Sequence, residues 1–352
     1  MMNKSIAPIT HRHSGIDLVK TIAIFGVIVI HISASSFLDP IGSVSWLSSL
    51  AWASISRASV PLFLMCTGAL MLQPEKQLSL KKLFFHNLLR IVIAMIVWGI
   101  FYKVYHLVDE DRLSLHALLY GVAEVLLFNQ EMHFYYLHMT ILIYLLLPFL
   151  RVFAANATKK QMEYTLLVLV ILGTVLPILR MFWPFSVIKG IPLQWIPNLA
   201  FFSVGLTLVG SYLRRYPLPV GWSVGIALVG LSGIFLLTWY GSSKAGSLDT
   251  TWFGGNTLPV TLYAAGVFSL CMHVSEFRCK AIGRTVQWVS GASFCIYLVH
   301  IFYLKMLYKY ELSPSRFYTG LSIPTITLIV AALSALTYWI ISKIPGVRKY
   351  LT

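Results

Sequence analysis

The chain has 352 residues, of which 58% are hydrophobic and only 11% charged. A water-soluble domain of that size needs far more polar surface, so the soluble globular class is excluded. A formal net charge of +15 would suit a nucleic-acid binder, but its distribution along the chain argues for a membrane protein with no nucleic-acid partner.

Taken in order, residues 1–14 are polar and read as a short cytoplasmic tail, 15–345 as one membrane domain and 346–352 as a second cytoplasmic tail. Apolar runs of about 20 residues, each enough to cross a bilayer, recur throughout the domain. They place about ten transmembrane helices at 17–36, 50–72, 84–106, 132–151, 162–182, 195–213, 219–240, 258–273, 289–308 and 323–342, an all-α polytopic bundle. The stretch 113–129, with His116 and Glu124, falls between spans that already have the right polarity. It is therefore expected to be an interfacial or re-entrant helix. Outer loops follow at 241–256 and 311–320.

With the N-terminus inside, the inner segments hold 17 of the 27 Lys and Arg, the outer segments hold eight, and Arg57 and Arg90 lie within spans. That bias is the positive-inside pattern and places both termini in the cytoplasm. Cys66, Cys271 and Cys295 fall in or beside spans and Cys279 in an inner loop. Neither a disulfide framework nor metal-ligand spacing is expected from them. Ser33-Ala34-Ser35 after the first span resembles a leader cleavage site, but the long span, His31 and the spans that follow favour retention. No internal repeat of the kind many transporters carry is evident.

Ionisable groups within spans are costly and mark candidate functional positions. Lys20 and His31 are eleven residues apart on the first span, which puts them on one helix face with an axial separation of roughly 16 Å. Arg57 enters the second span from outside and lies roughly 10 Å deep, level with His31. A guanidinium there needs an anion, a carbonyl or water, and Asp39 and Glu131 are candidate partners. Arg90 sits in the inner third of the third span behind Lys81, Lys82 and His86, a grouping suited to phosphates. Glu131 and His133 stand at the outer entry of the fourth span, followed by Tyr135 and Tyr136, and Tyr297 and His300 lie in the ninth. An aromatic belt accounts for tyrosines at such depths, and a lone interior histidine is more often structural than catalytic. Sorted by depth, Lys20 and Arg90 form an inner cationic layer, and His31, Arg57, Glu131 and His133 an outer one. This fits a charged donor entering from the cytoplasm and a neutral acceptor met near the far side. A transporter or flippase of a glycan or lipid intermediate would also explain buried charge.

Several segments, in order, resemble the membrane acyltransferase-3 family, and most closely its enterobacterial-common-antigen type O-acetyltransferases. They are Ile16-Asp17-Leu18-Val19-Lys20 followed by His31, Ser56-Arg57-Ala58-Ser59-Val60-Pro61 running on to Gly68, His133-Phe134-Tyr135-Tyr136-Leu137, Phe201-Phe202-Ser203-Val204-Gly205, and Ser290-Gly291-Ala292 running on to Tyr297-Leu298-Val299-His300. The match covers nearly the whole chain. Lys20 stands where the family has an arginine, and of the paired-arginine motif before the third span only Arg90 matches, with His86 and Asn87 upstream. The resemblance implies a multi-pass enzyme of the bacterial cytoplasmic membrane that O-acylates an extracytoplasmic sugar from acetyl-CoA. It also implies an essential His31. On that reading no cofactor is permanently bound. Lys20, Arg90 and Lys82 hold the phosphates of acyl-CoA, and His31 is the general base, or carries the acyl group itself. Arg57 steadies the oxyanion. Glu131, His133, Tyr135, Tyr297 and His300 line the acceptor side, a cell-surface glycan or glycolipid, or orient His31.

Overall fold

A computed structural model describes residues 12–76 and 78–351. Most of the expected N-terminal tail, 1–14, lies outside the described residues. Among these, every regular element is helical. The main helices are α1 (Ser14–Ala34), α2 (Val44–Ser56), α3 (Ser59–Met71), α4 (Leu80–Asp109), α5 (Leu115–Leu126) and α6 (Met132–Asn156). They continue with α7 (Lys159–Leu179), α8 (Leu199–Arg215), α9 (Val220–Ala245), α10 (Leu258–Met272), α11 (Lys280–Lys309) and α12 (Thr319–Ser342).

Among the described residues, eight stretches are long and apolar enough to cross a membrane, with α2 and α3 counting together as one. The other two expected spans are α8 and α10, of 17 and 15 residues, shorter than the ~20 that a full crossing takes. The span expected from 195 begins instead at Leu199, after short 3-10 turns at Phe185–Val187 and Ile191–Trp195. Pro184, Pro192 and Pro197 interrupt helical hydrogen bonding there. Asn198 then caps the helix, its side chain accepting from the Phe201 N–H at 3.0 Å. The 113–129 segment forms α5, 12 residues long, with one buried stripe against α4 and a 2.8 Å Lys103–Glu124 ion pair.

The α2–α3 stretch is 72% buried and α7 only 17%, so the centre of the bundle is α1, α2–α3 and α11, with α7 at its edge. Apolar side chains cannot drive association within lipid, and close backbone contact does it instead. α3 and α8 meet through reciprocal glycines: Gly68 faces the Thr207 backbone and Gly210 the Met65 backbone, where a Cβ would overlap.

Prolines shape the central helices. Pro61 has no N–H to offer the Arg57 carbonyl four residues back, and the chain breaks between α2 and α3 at Arg57 and Ala58. Pro324 similarly frees the Gly320 carbonyl in α12, and the Trp52 indole N–H donates to it at 3.1 Å. At the inner end of α3, arginines occupy the terminal carbonyls. Arg151 donates to Met71 and Lys76, Arg214 to Ala69, and Arg215 to Leu72 and Ala154 at 2.8 Å each. α1 is fastened to α11 by the buried Asp17 carboxylate, which accepts from Arg12 at 2.5 and 3.1 Å and from the Ser290 hydroxyl at 2.6 Å. Arg12 also donates to the Gln287 carbonyl at 2.6 Å.

Candidate functional site

The turn of π-helix at Leu83–Leu88 leads into Arg90. Wide turns of this kind recur at functional positions because they re-aim neighbouring side chains. Here His86, Asn87 and Arg90 face a cavity of ≈ 250 Å³ whose wall also includes Lys20 of α1. The Arg90 guanidinium stacks over the Phe294 ring at 5.1 Å. Two of the expected phosphate ligands, Lys20 and Arg90, thus share one chamber. Lys82 does not join them: it is exposed in the first turn of α4 and is no part of the lining. At its other end the chamber reaches the rings of Phe63, Tyr136 and Tyr297.

Beyond those rings lies a cluster of imidazoles. His31 stands 5.2 Å from His300 and 6.3 Å from His133 between ring centroids, and His133 and His300 are 5.5 Å apart. They come from α1, α11 and the 3-10 turn that opens α6. His300 is 0% exposed. Its Nδ1 lies 2.7 Å from the Tyr297 carbonyl and 3.2 Å from that of Ile296. Carbonyls only accept, so Nδ1 carries the proton and the neutral ring keeps its lone pair on Nε2. That Nε2 is buried and has no hydrogen-bond partner among the described residues, and the same holds for Nε2 of His133. Among the described residues, no group of three or more His, Cys, Asp or Glu is arranged to hold a metal ion.

Two tyrosines fix the cluster. The Tyr297 hydroxyl donates to the His133 carbonyl, joining α11 to α6. Tyr102 of α4, its ring 5.3 Å from His133, donates to the Leu298 carbonyl at 2.9 Å and accepts from the Phe302 N–H at 3.2 Å.

Arg57 sits beside the cluster in a small cavity of ≈ 60 Å³ shared with Ile30, Tyr135 and Phe253. The guanidinium lies 3.8 Å over the Phe253 ring, and its buried Nε has no hydrogen-bond partner among the described residues. It is not paired with Asp39 or Glu131 among the described residues. Glu131 bonds outward, to His106 at 2.8 Å and Lys305 at 3.6 Å, and so stands apart from the imidazoles although it is two residues from His133.

The structure therefore brings His31, His133, Tyr297 and His300 together, with Arg57 and Tyr135 alongside. Phe253 and Tyr102 belong to the same arrangement and carry no mark in the sequence that singles them out. A positively lined chamber, a wall of rings and a buried nitrogen base follow one another along the bundle. Such a series can hold an anionic carrier at one end and take a proton at the other.

The model of the acyltransferase-3 family, described as an acyltransferase domain, matches residues 13–343. No curated protein matches the chain, and no solved structure does.

Proposed function

Since the chain belongs to this family of membrane acyltransferases, we propose that it transfers an acyl group, acetyl in the first instance, from acyl-CoA to a hydroxyl of a cell-surface glycan or glycolipid across the bacterial cytoplasmic membrane. One observation carries the reading: the chamber holding Lys20 and Arg90 ends at rings that border the His31 cluster. Acyl-CoA carries its charge on phosphates at one end and its thioester at the other, and its form matches that order. Lys20 and Arg90 hold the phosphates, and the pantetheine arm runs along α1 toward His31.

His31 then accepts the proton of the acceptor hydroxyl while that oxygen attacks the thioester carbonyl. The tetrahedral intermediate collapses with cleavage of the C–S bond. CoA leaves as thiolate and takes the proton back from the imidazolium. Arg57, buried next to His31, stabilises the oxyanion. His300, whose lone pair lies on Nε2 beside His31, is placed so that a turn of the imidazoles lets it accept the His31 ring N–H and so set which nitrogen of His31 faces the hydroxyl. His133, Tyr135 and Tyr297 shape the acceptor side. Glu131, tied to His106 and Lys305, shapes its outer rim.

The test is acyl transfer in membranes carrying the protein or its His31→Ala variant, supplied with radiolabelled acetyl-CoA and extracted for glycolipid and polysaccharide. Label that depends on His31 supports the assignment, and the labelled fraction names the acceptor. Equal labelling by both would remove His31 from the chemistry. An acylated His31 trapped by acid quench would make it a nucleophile rather than a base.

A further inference from the structure

We infer that Phe253 is a positioning residue for Arg57: its ring holds the guanidinium in place without consuming the charge or the N–H groups that the oxyanion needs. The inference rests on the role given to Arg57 above. The guanidinium carbon lies 3.8 Å from the centroid of the Phe253 ring, where the negative face of the ring attracts a cation. Among the described residues, no carboxylate pairs with Arg57 and no hydrogen bond engages its side chain. A carboxylate would hold Arg57 more tightly, but it would neutralise the charge and occupy the donors. A phenyl ring has no acceptor oxygen, so all five N–H groups stay available. Arg57 and Phe253 share their ≈ 60 Å³ cavity with Ile30, which precedes His31 in α1, and with Tyr135.

The ring is itself held firmly. Phe253 ends the 3-10 turn Thr251–Phe253, and its N–H donates to the Thr250 carbonyl at 3.0 Å. The Asp249 carboxylate braces that turn, accepting from the Thr251 N–H at 2.9 Å and from the Thr251 hydroxyl at 2.5 Å. Gly255, two residues on, lies against Pro61 near the start of α3. The Phe253 ring also meets Phe37 at 6.5 Å, and Phe37 packs on Trp46 of α2 at 5.7 Å. The loop 246–257 thus delivers one ring, 8% exposed, to one partly buried cation. Without that contact the long Arg57 side chain would spread over its rotamers and stand in its productive pose for a smaller share of the time.

The experiment replaces Phe253 with phenylalanines carrying one, two and three ring fluorines, incorporated site-specifically, and compares them with Phe253→Leu. Fluorine drains electron density from the face of the ring and leaves its size nearly unchanged. The readouts are kcat and KM for acetyl-CoA, followed as thiol release in membranes carrying equal amounts of each protein. Turnover should fall stepwise with fluorine number, reaching roughly 5- to 30-fold below wild type for the trifluoro ring and for Phe253→Leu, the range a desolvated cation–π contact is worth. The KM for acetyl-CoA should hold, because the phosphates bind in the other chamber. In the Arg57→Gln background, already slowed, the same series should be flat, since no cation remains to be held. A packing role alone makes every fluorinated ring work like phenylalanine, and that result would overturn the inference even if Phe253→Leu were slow or failed to accumulate. So would a fluorine series that persists without Arg57. If Arg57→Gln turns over as fast as wild type, or wild type consumes no acyl-CoA, the underlying reading fails and this inference falls with it.

Discussion

His300 performs two tasks that substitution can separate. Nδ1–H is bonded to the carbonyls of Tyr297 and Ile296, which holds the ring, and Nε2 offers a buried lone pair beside His31. His300→Asn places an amide N–H where Nδ1 was and has nothing at the Nε2 position. His300→Gln does the reverse: its amide reaches the Nε2 position and forgoes the bond to the carbonyls. If positioning His31 through Nε2 is the functional task, Asn should lower kcat by roughly 10²–10⁴-fold, the range a misdirected proton-transfer group costs. Gln should recover part of that loss while giving up about 1 kcal/mol of stability for the missing hydrogen bond. The assay is steady-state acyl transfer in proteoliposomes, with thermal unfolding of the same preparations. Retention of kcat by Asn together with a collapse for Gln would refute the argument, because the ring would then matter only as an anchor.

Lys20→Ala and Arg90→Ala are each expected to weaken acyl-CoA binding by roughly 10- to 100-fold, the value of a charge-assisted hydrogen bond. Lys82→Ala, outside the chamber lining, should leave binding as it is; calorimetric titration of detergent-solubilised protein with acyl-CoA checks all three. Trp52→Phe strands the Gly320 carbonyl that Pro324 has freed and should cost about 1–3 kcal/mol. Adding Pro324→Ala supplies the missing N–H and should return part of it, a coupling that strict additivity in chemical unfolding would contradict. Arg12→Gln leaves the Asp17 carboxylate, 8% exposed, buried without its cation. It should therefore destabilise by roughly 3 kcal/mol. Asp17→Asn can still meet the Ser290 hydroxyl and should cost only about 1 kcal/mol. Melting temperatures in one detergent would rank the pair.

The architecture was largely legible because apolar run length and basic-residue bias are local properties of sequence, and α1, α6, α11 and α12 follow them directly. The start of α8 was not, because Met181, Phe182, Trp183 and Trp195 are as apolar as a span although they are exposed outside any α-helix. For the site, depth counting put His31 and Arg57 at one level and gave no means of bringing His300 to them. That pairing depends on how α1 packs on α11, which rests on the Asp17 clamp. Glu131 misleads for a geometric reason. The 3-10 turn Met132–Phe134 sends His133 inward and leaves Glu131 facing His106 and Lys305. Phe253 lies in a Gly-containing outer loop, and nothing in its neighbours foretells that it folds back beneath Arg57.

The arginines at the end of α3 bear on how the chain is made. Arg151, Arg214 and Arg215 belong to the basic set that the positive-inside rule reads as marking the cytoplasmic side. In the folded chain the same three guanidiniums sit on the carbonyls of Ala69, Met71 and Leu72. Those bonds can close only when the carbonyl end of α3 and the arginine-bearing ends of α6 and α8 lie on one side. A helix threaded the wrong way round would leave its carbonyls at the opposite surface, beyond reach of any of them. One set of charges thus serves first as an orientation signal during synthesis and then as a check that the orientation was obeyed.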